Sequence, residues 1–394
     1  MEMENLNNIV NTGLRGVTVA NTKISHVDSD AGKLIYRGYL ITDLAEKTCF
    51  EEVVNLLLFE KLPNPEELRQ LRTHLAAQRA IPKSLVASLK TCPADSLPMD
   101  ILQAAIPLLA NNDPGAAELT LEKSIDTAIR LIAEIPTIVC AWHRIRNGMD
   151  PVPPDPDLNH AANFLYMLTG EVPDEQTARF FDICLVLHAE HSFNASTFSA
   201  RQVASTRAHM YAAISAAVGS LSGALHGGAN TRVMRMLKEI DESGDMDEYI
   251  SRVLNSGGKI MGLGHAVYKN GDPRAKILAP MSKALGQSIG ETRWYDLSVL
   301  LEEKTKALFK AKKGLDIYPN VDFYSASVYY SMGIPMDLFT PVFAVSRIAG
   351  WAAHVMEEQF AGASDKPALY RPSSAYIGDY CGPAECPFVA MDNR

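Results

Sequence analysis

The chain has no surplus of positive charge. Its 37 Lys and Arg stand against 46 Asp and Glu in 394 residues, a net charge of −9. Nucleic-acid phosphates are bound through an excess of basic side chains, so no nucleic-acid partner is expected, and any anionic ligand must meet a local basic cluster. Cysteine is sparse: Cys49, Cys92, Cys140, Cys184, Cys381 and Cys386 are spread along the chain. Only the last two are close, in a CxxxxC spacing with no second pair beside it. Neither a zinc site nor a disulfide framework is indicated, and reduced cytoplasmic thiols are expected. The start, Met1-Glu2-Met3-Glu4-Asn5, lacks the basic residues and apolar run of a signal peptide. The chain also lacks a Walker loop, a complete GxGxxG and a serine elbow, which excludes nucleotide hydrolysis, dinucleotide redox and serine esterase chemistry.

Between Arg207 and Arg232 there is no Asp, Glu, Lys or Arg. The stretch is rich in Ala, Ser and Gly and interrupted by His209, His226 and Asn230, so it reads as a buried helix and not as a membrane span. Within it, Ala212 to Gly219 carries small residues on nearly every side, which suits close helix approach and predicts burial all round, in the core or at a subunit interface. The length predicts two domains. Ile24–Val27 and Leu34–Arg37, joined by turn residues Asp28 to Gly32, predict a β-hairpin. The rest reads as mainly helical. Thr48 and Glu51 have capping-box spacing ahead of an apolar face on Phe50, Val53, Val54, Leu57 and Leu58. Asn64-Pro65-Glu66-Glu67 opens the next helix. Periodicity predicts further helices near 121–146, 157–169, 174–190, 205–222, 247–256 and 340–358, with a proline-rich loop at 151–156.

Two segments each set a histidine among glycines: Gly223 to Asn230 around His226, and Gly262-Leu263-Gly264-His265 followed by Asp272-Pro273-Arg274. A missing Cβ lets backbone approach a small ligand, which favours exposure of His226 and His265 over a role in the core. Asp322 lies in an apolar and aromatic segment, Tyr318 to Ser325, where desolvation would strengthen it as a base; a helix cap is the alternative reading. Arg347 sits in an apolar helix and must meet a carboxylate of the protein or of a ligand. His188 and His191, three residues apart at a predicted helix end, could hold a metal. No third ligand accompanies them, so no metal is expected there.

These segments resemble the citrate synthase family. The resemblance rests on Val27-Asp28 with Gly32 to Tyr39, His188 with Asn194 to Thr197, Leu225 to Asn230, His265 with Asp272 to Arg274, Asn320 to Ser325, Ser346-Arg347 and Arg371-Pro372. It implies an all-α fold with a small N-terminal hairpin, in which a large domain (1–219 and 327–394) is interrupted by a smaller mobile helical domain (220–326). It implies a cytoplasmic homodimer with shared active sites that needs no cofactor. The implied substrates are acetyl-CoA and oxaloacetate, condensed to citryl-CoA and hydrolysed to citrate and CoA, as in the tricarboxylic acid cycle. Asp322 would take the methyl proton, His226 would hydrogen-bond the enol oxygen, and His265 would polarise the oxaloacetate carbonyl. His191, Arg274, Arg347 and the other subunit's copy of Arg371 would hold the substrate oxygens. Lys259, Lys269, Lys312 and Lys313 are weaker candidates for the CoA phosphates. Ala224, Thr231 and Ala266 depart from the family pattern, the last leaving the source of positive charge for CoA open. The alternatives are a 2-methylcitrate synthase using propionyl-CoA, against which Leu225 speaks, a catalytically silent acyl-CoA or dicarboxylate-binding relative, and a metal hydrolase built on His188 and His191.

Overall fold

The structure, a computed structural model, describes residues 12–14, 16–265, 267–378, 388 and 390–393. The amino-terminal reading, Ala266, Cys381 and Cys386 lie outside these residues. After a short 3-10 turn at Thr12–Leu14, the described chain forms a small antiparallel sheet, β1 (Ser25–Asp28), β2 (Lys33–Tyr36) and β3 (Tyr39–Leu40), in that order, with Ser25 opposite Tyr36. The Asp28 carboxylate accepts from the amides of Asp30 and Ala31, which closes the expected turn. The expected hairpin therefore forms, extended by a two-residue strand.

Sixteen helices follow among the described residues. They are α1 (Ile41–Lys47), α2 (Phe50–Phe59), α3 (Pro65–Gln78), α4 (Lys83–Lys90), α5 (Pro98–Ala110), α6 (Leu121–Arg146), α7 (His160–Thr169) and α8 (Glu175–His188), then α9 (Ala195–Ser205), α10 (Met210–Ser222), α11 (Ala229–Ser243), α12 (Met246–Asn255), α13 (Pro273–Ser288), α14 (Arg293–Lys313), α15 (Val321–Ser331) and α16 (Phe339–Gln359). The chain is thus all-α apart from its small sheet. Asn64 caps α3 as its sequence predicts, with its side-chain oxygen accepting from the amides of Glu66 and Glu67. The cap of α2 is shifted by one residue from the expected Thr48–Glu51 box. Glu52 reaches back to the Cys49 amide, while the Thr48 hydroxyl donates to the Leu44 carbonyl and so finishes α1. Glu51 is buried and accepts from the His160 amide.

Helix α16 is the axis of the larger body, packed by α2, α6, α8, α9 and α10. It is the one helix among the described residues long and apolar enough to cross a bilayer, and nearly all of it is buried in this core. The charge-free stretch before Arg232 is instead divided between α10, the His226 loop and the start of α11. Burial of α10 is not complete: Tyr211, Ala213, Ile214, Ala217 and Val218 are buried, whereas Ala212, Ser215, Ala216 and Gly219 form a half-exposed stripe. Helices α11, α13, α14 and α15 pack on one another to form a second helical layer. One junction in each body fixes the loops that carry the site. The Tyr36 hydroxyl of β2 donates to the Glu190 carbonyl (2.8 Å) and accepts from the Glu190 amide (3.1 Å), fixing the turn that ends α8. The Asp272 carboxylate caps α13 and also accepts from the Val321 amide at the start of α15 (3.0 Å).

Candidate active site

The glycine loops are shaped by contacts that leave no room for a side chain. A Cβ on Gly227 would fall 2.0 Å from the Leu221 carbonyl oxygen. Gly262 combines a φ of +76° with a position where a Cβ would sit 2.7 Å from Val233 and 2.8 Å from Phe323. The His265 loop is then clamped to the Asp322 loop. Gly264 donates to the Tyr318 carbonyl (2.8 Å), Asn320 donates to the Gly262 carbonyl (2.9 Å), and the Asn320 side-chain amide reaches the Gly264 carbonyl (2.9 Å). Asn320, not Asp322, caps α15: its Oδ1 accepts from the Asp322 amide (3.0 Å). The capping alternative for Asp322 is thereby removed, and its carboxylate is left on the first turn of α15.

These elements enclose a cavity of about 590 Å³ lined by His191, His226, His265, Arg274, Asp322 and Arg347. Six residues that are far apart in sequence thus share one space. Burial favours the neutral form of all three imidazoles, and for two of them backbone amides fix which nitrogen carries the proton. The amides of Val267 (3.0 Å) and Tyr268 (3.2 Å) both donate to His265 Nδ1, so its proton must be on Nε2. The Ser196 amide at the start of α9 donates to His226 Nε2 (3.1 Å), which leaves the His226 proton on Nδ1. The Ser196 hydroxyl also contacts His226 Nε2 (2.7 Å) and accepts from the Trp351 indole (3.1 Å). Burial lowers His226 to about 4, helped by Arg347. It lowers His265 to about 4 as well, helped by Arg274. His191 lies further below the usual imidazole range through burial and the two guanidinium groups, and its Nε2 contacts the Tyr268 hydroxyl (3.1 Å).

The charged groups are equally constrained. Arg274 makes a two-point ion pair with Asp272 (2.9 and 2.7 Å), both buried. Arg347 is 1% exposed. Its Nε donates to the His188 carbonyl (2.6 Å) and its guanidinium carbon lies 4.5 Å from the centre of the Phe343 ring. No protein carboxylate lies in ion-pair contact with it among the described residues, and burial lowers its pKa to about 10 against the opposing pull of the Glu190 carboxylate, which leaves it charged at neutral pH. Asp322 is raised to about 6 by burial, against the opposing pull of Arg274. The cavity therefore holds one basic carboxylate, three imidazoles, two of them with a placed proton to donate, and two cations.

Arg371 is exposed and does not line this cavity. Lys259 and Lys312 line a second cavity of about 750 Å³ whose wall at Gly264 and His265 is shared with the first. Lys269 is not brought there; its ammonium pairs with Asp30 (2.8 Å). Lys313 ends α14, adjacent to Lys312 in sequence. The predicted His188–His191 pair does not share a helix face, because α8 ends at His188. His188 Nδ1 donates to the Cys184 carbonyl (2.7 Å), and its ring packs against Phe343 and Tyr329. Among the described residues no three His, Cys, Asp or Glu side chains are grouped as metal ligands would be. Thr231 lies outside the cavity lining, its hydroxyl donating to the Met336 carbonyl (2.9 Å). Ser196, Tyr268 and Asp272 were not marked by the motifs as site residues, although the first follows an Asn-Ala helix start and the last precedes a proline at a first helical position.

Comparison with known proteins agrees with this arrangement. The family profile described as citrate synthase, C-terminal domain, matches residues 13–373. The citrate synthase of Haloferax volcanii is 46% identical over 388 residues, covering 97% of this chain and 98% of that protein. A 2-methylcitrate synthase from Mycobacterium tuberculosis is 39% identical over 370 residues, covering 94% and 91%. Among solved structures, citrate synthase from Pyrobaculum aerophilum superposes with a TM-score of 0.87 at 36% identity, covering 97% of this chain and 95% of that one. The Thermoplasma acidophilum citrate synthase, solved as a ternary complex with carboxymethyl coenzyme A and oxaloacetate, gives a TM-score of 0.87 at 29% identity, covering 96% and 98%. With the profile spanning most of its length and close relatives over nearly all of it, the chain belongs to the citrate synthase family.

Proposed function

We propose that the protein condenses acetyl-CoA with oxaloacetate and hydrolyses citryl-CoA to citrate and CoA, an acyltransferase reaction. The observation that carries this reading is the pairing of a desolvated carboxylate with two neutral imidazoles whose protons are positioned by backbone amides. A thioester methyl is a very weak carbon acid, so a carboxylate removes its proton usefully only if charge on the carbonyl oxygen is stabilised as it develops. Asp322 takes the methyl proton, and His226 Nδ1–H donates to the forming enol oxygen. The enol carbon then attacks the oxaloacetate keto carbon, whose oxygen accepts a hydrogen bond from His265 Nε2–H. Arg274 and Arg347, with His191, bind the dicarboxylate. The Arg347 charge, left without a protein ion pair, is supportive here, since a substrate carboxylate would supply the missing partner.

The same reading gives Lys259 and Lys312 to the CoA phosphates in the second cavity, with Lys313 next in line, and places the acyl end at the shared His265 wall. It makes the protein a cytoplasmic homodimer, in keeping with the free thiols of Cys49, Cys92, Cys140 and Cys184 and the half-exposed small-residue stripe of α10. Arg371, exposed on its own subunit, acts in the other one. Residues 220–326 close over oxaloacetate; the limits at 219/220 and 326/327 both fall inside helices, α10 and α15, so hinging is assigned to the loops that follow these helices. Acetyl-CoA is assigned over propionyl-CoA on Leu225 and on the higher identity to citrate synthases. One methylene is worth about 1 to 3 kcal/mol, so the preference is one of degree.

The test is proton exchange. With oxaloacetate bound, wild-type protein should exchange the methyl protons of a non-condensing acetyl-CoA analogue with deuterated solvent, and Asp322→Asn should slow this by at least 100-fold, a range set by general-base catalysis. Exchange by Asp322→Asn at the wild-type rate would remove Asp322 as the base.

A further inference from the structure

The segment that carries Arg371 emerges from a buried ionic cluster, not from a free tail. Immediately before it, the Tyr370 hydroxyl donates to Glu358 Oε2 (2.6 Å) and the Tyr370 amide donates to Ser205 Oγ (3.3 Å). The Tyr370 ring lies 5.8 Å from the Phe198 ring. Glu358 Oε2 also accepts from Arg201 Nε (2.9 Å) and from the Arg201 terminal nitrogen (2.7 Å). Arg201 donates in addition to Glu357 (2.6 Å) and to His354 Nδ1 (3.0 Å). Because a guanidinium can only donate, the His354 proton is on Nε2, from which it is given to Glu190 (3.0 Å). Arg201, His354, Glu357, Glu358 and Glu190 are all buried. An unbroken hydrogen-bond chain thus runs from Glu190, the neighbour of the cavity residue His191, to the phenol of Tyr370. Beyond Tyr370, residues 371–378 are exposed.

An arginine one residue past such an anchor has its departure direction fixed, whereas on an unanchored segment it would sample many. We propose that Tyr370 is a positioning residue that acts in trans: its bond to Glu358 sets the path by which Arg371 reaches the oxaloacetate bound in the other subunit. This rests on the shared-site reading given above. The contribution is to substrate binding, realised in ground and transition states alike, so its loss raises KM and spares kcat. Burial and the Glu358 carboxylate raise the phenol above its ordinary range, so it stays a donor at neutral pH.

Tyr370→Phe removes the hydroxyl and nothing else. In the homodimer we expect KM for oxaloacetate to rise about tenfold with kcat within twofold of wild type, the pattern of lost uniform binding. The decisive experiment is a mixed dimer, isolated through two different affinity tags, of one Tyr370→Phe chain and one Asp322→Asn chain. Its only working base is in the Tyr370→Phe chain, yet the Arg371 serving that site comes from the chain whose tyrosine is intact. The oxaloacetate KM should therefore return to the wild-type value. A KM that stays raised in the mixed dimer places the effect within the subunit and overturns the proposal, as does an unchanged KM in the Tyr370→Phe homodimer. A parallel mixed dimer of Arg371→Leu with Asp322→Asn reports on the underlying reading by itself. Recovery of about half the wild-type activity per dimer supports shared sites, and no recovery removes that reading and the proposal together.

Discussion

At the scale of single residues, the site trades stability for reactivity, and Asp322 shows how much. Burial lifts its carboxyl from 3.8 to about 6. A carboxyl whose folded pKa is raised binds its proton more tightly when folded, so the cost of keeping it ionised is absent below the unfolded value and complete above the folded one. Asp322→Asn should therefore be more stable than wild type by up to about 3 kcal/mol at pH 8, from roughly two pKa units at about 1.4 kcal/mol each. The gap should close as pH falls from 6 to below 4. Denaturant melts of the two proteins across pH 3.5 to 8 check this, and a gap that does not change with pH would contradict it. His226, His265, Asp322 and Arg347 could be named from their sequence neighbours, because glycines beside a histidine, a carboxylate in an aromatic segment and a cation in an apolar helix are local signals, whereas Arg274 was named only through the family resemblance. Ser196 and Tyr268 could not be: their roles depend on a helix start and a loop that meet the imidazoles only in the folded chain.

At the scale of elements, long periodic helices such as α6 and α16 were readable because one apolar face repeats over many turns. Helices α5, α13 and the 21-residue α14 were not. Helix α5 contains Pro107 and α13 contains Pro280, and over so few turns an internal proline reads as a break, whereas the 26-residue α6 stays legible on both sides of Pro136. The cap of α2 moved to Cys49 because Thr48 was already committed to the carbonyl of α1, a competition that spacing alone does not reveal. The loop joining α12 to α13 owes its path to Gly262, where a positive φ and contacts with Val233 and Phe323 coincide. Gly262→Ala should cost about 3 kcal/mol, since strain at a left-handed position is worth 1 to 3 kcal/mol and a displaced aromatic adds to it. It should also lower kcat by more than tenfold, because the same loop positions His265. Thermal melting and steady-state kinetics on Gly262→Ala check both, and a variant of wild-type stability would show that the loop can yield at that point.

At the scale of the whole molecule, the two cavities are not independent, because Gly264 and His265 form a wall of each. Arg274 and Arg347 bring two positive charges to the first cavity, and among the described residues only Arg274 is in ion-pair contact with a carboxylate, Arg347 feeling Glu190 at longer range. On the proposed reading, a dicarboxylate that contacts Arg347 and accepts from His265 would give a buried charge its missing contact and fix the shared wall at the same time. On that reading the second cavity would be presented to its ligand already ordered, so that the ordering cost is met once. Coupling of this kind must be reciprocal: if oxaloacetate tightens the binding of an acyl-CoA by some factor, the acyl-CoA tightens oxaloacetate by the same factor. Carboxymethyl coenzyme A, which cannot condense, allows this to be measured at equilibrium. Calorimetric titrations should show its Kd falling at least tenfold when oxaloacetate is saturating, with an equal shift in the reverse titration, in the usual range of 1 to 3 kcal/mol for coupled sites. In Arg347→Leu the coupling should shrink toward unity even where the analogue still binds to the free protein, because the charge that the dicarboxylate would contact is gone. Equal analogue affinity with and without oxaloacetate in the wild type would mean that the shared wall does not move, and that the two substrates meet in cavities formed in advance.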